Sequence, residues 1–108
     1  SEPSALGGRL PTMETPPNPK QHDVMVIIDE QSRSNGNTTS DGIRFRFGNV
    51  HGWHMAPTHE QMRACLARLI SAELVVRDGF GEGGPHYALT HAGVQKLTEV
   101  KDARARAA

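Results

Sequence analysis

The chain has 108 residues, 36 % of them hydrophobic, one cysteine, and 12 basic residues balanced by 12 acidic ones. A domain of this size buries only ~60–65 % of its unfolded surface and is marginally stable alone, while zero net charge counts against strong nonspecific duplex binding, which draws on a basic surplus. The lone Cys65 excludes an internal disulfide, no apolar run approaches the ~18–20 residues of a membrane helix, and no basic-then-apolar signal peptide opens the chain, so a cytoplasmic protein is expected.

Residues 1–17 (SEPSALGGRLPTMETPP) have little to bury and are expected to be a disordered leader, with Met13 a candidate natural start and 1–12 additional to it. Asn18 as N-cap, Pro19 at the first helical position and Gln21 at the third make a helix start. Val24, Ile27 and Ile28 follow at helical spacing and Asn35-Gly36 offers a left-handed stop, which predicts a helix over 19–33. Residues 37–57 carry two patterns. Ile43-Arg44-Phe45-Arg46-Phe47 alternates as a strand does, with both arginines on one face. Ile43, Phe47 and Val50 also recur at i, i+4, i+7, and Thr39 or Ser40 suits a helix cap. The element order favours the helix, against Gly48, since glycine costs about 1 kcal/mol relative to alanine inside one. Trp53 is expected to cap the core between this element and the next.

Thr58-His59-Glu60-Gln61 is a capping box, and Met62, Cys65, Leu66, Leu69 and Ile70 then mark one apolar stripe, which predicts a helix over 58–71. Leu74–Arg77 and His86–Thr90 are short β-prone runs around a loop with four glycines and a proline, the pattern of an antiparallel hairpin. Thr90 caps a last helix with Val94, Leu97 and Val100 on one face, and Arg104 and Arg106 suit its negative C-terminal end.

Leu66-Ala67-Arg68-Leu69 with Leu74-Val75-Val76-Arg77, followed by Tyr87-Ala88-Leu89-Thr90-His91-Ala92-Gly93, resembles the second half of winged-helix transcriptional regulators of the MarR and PadR type. There an L-x-x-L…G-L-V-x-R segment ends the recognition helix and a Y-x-L-T-x-x-G segment leaves the wing. The resemblance implies an α+β, mainly α, winged helix-turn-helix domain over 18–100. It would have a three-helix core, a β-hairpin wing and a C-terminal helix, with 101–108 a basic tail or helix end. Two departures stand out: Glu73 replaces the glycine usual before the Leu-Val pair, and Asn49–Pro57 is longer than the usual tight turn.

In such regulators the helix matching 58–71 enters the major groove of double-stranded DNA. With its stripe buried, Glu60, Gln61, Ala64, Ala67, Arg68 and Ser71 face outward, flanked by His59 and Arg63. The expected DNA contacts are His59, Gln61 (to adenine), Arg63 and Arg68 (to guanine or phosphate), with Arg44, Arg46 and Arg77 on phosphates. The rival expectation is a winged helix used as a protein-interaction module, with the partner at the Phe80 hairpin; neutral charge and Glu82 at the tip favour it. Val94, Leu97 and Val100 of the last helix are the candidate surface for a homodimer. No enzyme, cofactor or metal is expected. The glycines at 79–84 join strands and do not precede a helix as a phosphate cradle would, and His51, His54, His59 and Cys65 lack the two paired spacings of structural zinc sites.

Overall fold

A computed structural model of the chain describes residues 15–107. Their order is α1 (Gln21–Arg33), α2 (Ser40–His51), one turn of 3-10 helix (Trp53–Met55), α3 (His59–Ser71), β1 (Val75–Gly81), β2 (Gly84–Leu89) and α4 (His91–Ala107). The class is α+β and mainly α, with a two-stranded antiparallel hairpin between α3 and α4. The expected leader lies outside the described residues up to position 14, and Met13 with it.

The capping box starts α3. Thr58 Oγ1 accepts from the Gln61 N–H at 3.1 Å and the Gln61 amide oxygen accepts from the Thr58 N–H at 2.9 Å, satisfying two donors the first turn leaves without helical partners. Met62, Cys65, Leu66 and Leu69 then turn inward. They share one core with Val24, Met25, Ile27 and Ile28 of α1, Ile43 and Phe47 of α2, and Val75 and Tyr87 of the hairpin; Ile70 packs only at its edge.

α1 begins two residues later than Asn18 and Pro19 predict. Lys20 is the N-cap, extended at φ −72°, ψ 136° and without a side-chain cap. The Pro16 carbonyl is held by Gln61 Nε2 at 2.7 Å, and the proline-rich backbone stays non-helical from there to Lys20. At the other end Asn35 itself takes the left-handed conformation, φ 57°.

Residues 43–47 are helical. Thr39 caps α2 by accepting from the Gly42 N–H at 3.2 Å, and its hydroxyl donates to Asn37 Oδ1 at 2.6 Å. A strand would have buried Phe45 along with Ile43 and Phe47; instead those two are in the core and Phe45 is 61 % exposed. The same helix corrects two further expectations. Val50, in the last turn of α2, is 48 % exposed although i+7 spacing keeps it on the side of Ile43 and Phe47, and Trp53 is 58 % exposed. The 3-10 turn folds Trp53 back on the outer side of α2. Its ring atoms lie 2.5–2.8 Å from where a Cβ on Gly48 would sit, so the helix glycine makes room for an indole.

The path from α3 into β1 passes through Glu73, which adopts φ 63°. That conformation disfavours a non-glycine by about 1–2 kcal/mol, and its surroundings hold it. The Thr90 hydroxyl donates to the Glu73 carbonyl at 2.6 Å and accepts from the Gly93 N–H at 3.0 Å, while the Thr90 N–H donates to the Leu74 carbonyl at 3.0 Å. One threonine thus caps α4 and ties its start to the end of α3. The hairpin pairs Val75 with Leu89 and Arg77 with Tyr87; a bulge at Asp78-Gly79 follows, with Gly79 at φ 96°, before Phe80 pairs with Pro85. The strands therefore run farther toward the Glu82-Gly83 tip than the expected 74–77 and 86–90. On the other edge Thr39 bridges His86, the Tyr87 N–H donates to the Thr38 carbonyl at 3.0 Å, and Thr38 Oγ1 is 2.9 Å from His86 Nδ1. α4 continues to Ala107, so positions 101–107 are helix.

A Cβ on Gly93 would fall on the Leu74 carbonyl oxygen. Gly93→Ala is expected to cost about 1–3 kcal/mol, as overpacking does, read as a melting temperature several degrees lower; an unchanged melting point would contradict the close approach of α4 to the turn. Burial pushes the Cys65 thiol above its ordinary value, opposed only in part by the Arg68 guanidinium. As pH rises through the ordinary thiol range the unfolded chain loses that proton and the folded chain keeps it. This contribution to stability is therefore present below the range and lost above it. Native Cys65 should react with a disulfide reagent far more slowly than in urea; equal rates would place the thiol outside the core.

Candidate nucleic-acid interface

Burying Met62, Cys65, Leu66 and Leu69 leaves His59, Glu60, Arg63, Ala64, Ala67, Arg68 and Ser71 exposed. At 3.6 residues per turn, Ala64, Ala67 and Ser71 form a low shelf along the middle of this face, with Arg63 and Arg68 on opposite flanks, roughly 140° apart around the axis. Two guanidinium groups thus border a strip without bulky side chains, a shape that lets a helix backbone come close to a surface. Glu60 opens the strip and sets a negative charge near its start.

The remaining sequence-predicted residues are placed differently. Gln61 is half-buried and both ends of its amide are occupied, the oxygen by the Thr58 N–H and Nε2 by the Pro16 carbonyl at 2.7 Å. An adenine contact would have to compete with these bonds. Arg44 and His59 come together as a brace between α2 and the start of α3. Arg44 Nε donates to the Pro57 carbonyl at 2.9 Å, Nη1 lies 3.3 Å from His59 Nε2, and Asp41 Oδ1 lies 3.3 Å from His59 Nδ1. The Arg44 side chain is 27 % exposed, so it supports the start of the strip more than it reaches outward. Arg46 does not share a face with Arg44, because positions i and i+2, which align in a strand, diverge in a helix. It points toward α1, 3.9 Å from Glu30. Such a half-exposed pair contributes little and leaves the guanidinium accessible. Arg77 is exposed on β1, opposite Tyr87 in the register, and Phe80 stands out near the hairpin tip at 81 % exposure.

One feature of the surface was absent from the sequence reading. Phe45 and Trp53 pack edge to face, centroids 5.4 Å apart at 74°, and both are mostly in solvent. Gly48 and Gly52 around the turn were the available signal, since a helix glycine ahead of a tryptophan marks space for the ring. The histidines do not gather with Cys65: His51 lies against Phe47 at 4.4 Å and Cys65 is buried in the core. Between α1 and α4 an open groove of about 520 Å³ is lined by Val26, Val94 and Leu97, with Asp29, Arg33 and Lys101 on its rims. Among the described residues no helix is long and apolar enough to cross a membrane.

No known protein family, curated protein or solved structure matches this chain.

Proposed function

We propose that the chain is a winged-helix DNA-binding protein, a transcriptional regulator of the MarR and PadR type, that lays α3 in the major groove of double-stranded DNA. The observation carrying this reading is the outward face of α3, where Arg63 and Arg68 flank the Ala64-Ala67-Ser71 shelf. Small residues allow the close approach that base contact requires, and guanidinium groups suit guanine edges and phosphates. The element order supports it too: helix, helix, helix, hairpin, helix, with the Thr90–Gly93 segment bonded back to the Glu73 turn. In this reading Arg63 and Arg68 are the principal contacts, Arg77 and Arg46 reach phosphates at the periphery, and Arg44 and His59 orient the helix start.

A second reading, a winged helix that binds a protein partner through its hairpin, is favoured by Phe80, 81 % exposed beside the acidic Glu82. An acidic tip meets phosphates unfavourably, whereas an exposed phenylalanine suits an apolar pocket on another protein. The groove between α1 and α4, with Val94 43 % exposed, is where a second copy would pack if the chain dimerises through its last helix.

Anisotropy of a labelled random duplex, read at low and moderate salt, separates the two. Wild type is expected to bind in the micromolar range and to weaken as salt rises, as nonspecific binders do. Arg63→Ala/Arg68→Ala should flatten the salt slope by about 1–2, roughly one per lost phosphate contact. No binding at low salt would favour the protein-partner reading.

A further inference from the structure

Isolated apolar residues at a protein surface are ordinary, but Phe45 and Trp53 are not isolated. They touch each other and stand 61 % and 58 % exposed, and the same stretch of sequence also exposes Val50 and Met55. The indole is held over Gly48 and packs against the Phe45 ring at an interplanar angle of 74°. The tryptophan is therefore fixed in place with much of its surface in water, a rigid aromatic platform and not a loose side chain.

The charge around it is one-sided. Residues 42–59 contain Arg44, Arg46, His51, His54 and His59 and no aspartate or glutamate, in a chain whose acids and bases balance overall. Helical geometry sets Arg44 and Arg46 on opposite flanks of Phe45, and the His54 ring lies against Gly52, the residue before Trp53. Among the described residues, two carboxylates reach this segment from outside. Asp41 lies on the Arg44–His59 brace and Glu30 is 3.9 Å from Arg46. A flat aromatic surface bordered by cationic and hydrogen-bonding groups matches a ligand with π-faces and a negative backbone. Bases within a duplex already stack on one another; unpaired ones are free to stack on a side chain.

We propose that the Phe45–Trp53 pair is a stacking platform for the unpaired bases of single-stranded nucleic acid, with Arg46 and His54 beside it on the phosphates. The platform belongs to α2 and the turn after it and shares no residue with the outward face of α3, so this inference does not rest on duplex binding.

Trp53 is the sole tryptophan of the chain, so its own fluorescence reports the event. Titrating the full chain with a short oligothymidylate is expected to quench that emission saturably, with oligouridylate as the RNA arm. Measured by anisotropy of a labelled strand, Trp53→Ala should weaken binding about five- to hundredfold, the range for loss of one base–aromatic stack. Trp53→Phe, which keeps an aromatic face, should recover most of it. Arg63→Ala/Arg68→Ala should leave the quenching intact, which separates this site from α3. Circular dichroism melting of each variant confirms that the fold is retained. Binding without quenching, or Trp53→Ala binding as wild type does, would overturn the proposal. So would equal quenching by polyglutamate, which would assign the surface to an acidic polypeptide. A blue shift with protein concentration alone would assign it to a second copy of the chain and overturn it equally.

Discussion

The inward packing of Met62, Cys65, Leu66 and Leu69 governs most of what this chain displays. Those four side chains meet α1, α2 and the first strand in a single core. Burial of each large apolar side chain contributes about 1.5–3 kcal/mol, a large share of the net stability available to a domain this small. The seam also fixes the rotation of α3 about its axis. Once it is buried, Arg63, Ala64, Ala67 and Arg68 have only the solvent side left. The exit from α3 is fixed with it, because Leu69 and Ile70 supply the carbonyls that receive Leu74 and Glu73, both at 2.9 Å. The left-handed Glu73, the Thr90 bond to it and the seating of Gly93 on the turn then set where the hairpin and α4 begin.

Legibility in the sequence followed how local each determinant is. α3 could be read because its start rests on a side-chain exchange three residues apart and its face on helical spacing, both complete within the segment. The hairpin was legible for the same reason, though its extent was underestimated. The Gly79 bulge lets the strands continue past Arg77, and glycines that signal a turn also permit a bulge. Residues 43–47 satisfied two periods at once, and only the position of the core chose between them: Ile43 and Phe47 reach it together from one helical face. Trp53 and Val50 were misplaced because their exposure depends on the route of residues 52–58, which no short-range pattern encodes. Gln61 shows a further difficulty. Its identity fits both a cap and a base contact, and the fold commits its amide to Thr58 and Pro16.

Neutral overall charge takes on a different meaning once the distribution is seen. The basic groups are not spread evenly; Arg44, Arg46 and three histidines fall in one acid-free stretch, while Arg63 and Arg68 edge the α3 strip. Carboxylates at Asp41, Glu30 and Glu60 sit at the margins of these surfaces. Such an arrangement limits long-range attraction to a polyanion and leaves recognition to short-range contacts. Both proposed surfaces share that character: one offers small residues between two guanidinium groups, the other a fixed aromatic pair.

Residue-resolved amide shifts in a 1H–15N NMR titration with a random duplex at low salt test most directly whether the buried seam presents α3 for binding. Perturbations gathered on Arg63, Ala64, Ala67 and Arg68, with the amides of α4 unmoved, are the predicted result. Shifts confined to α1 and α4, or none at all, would contradict it.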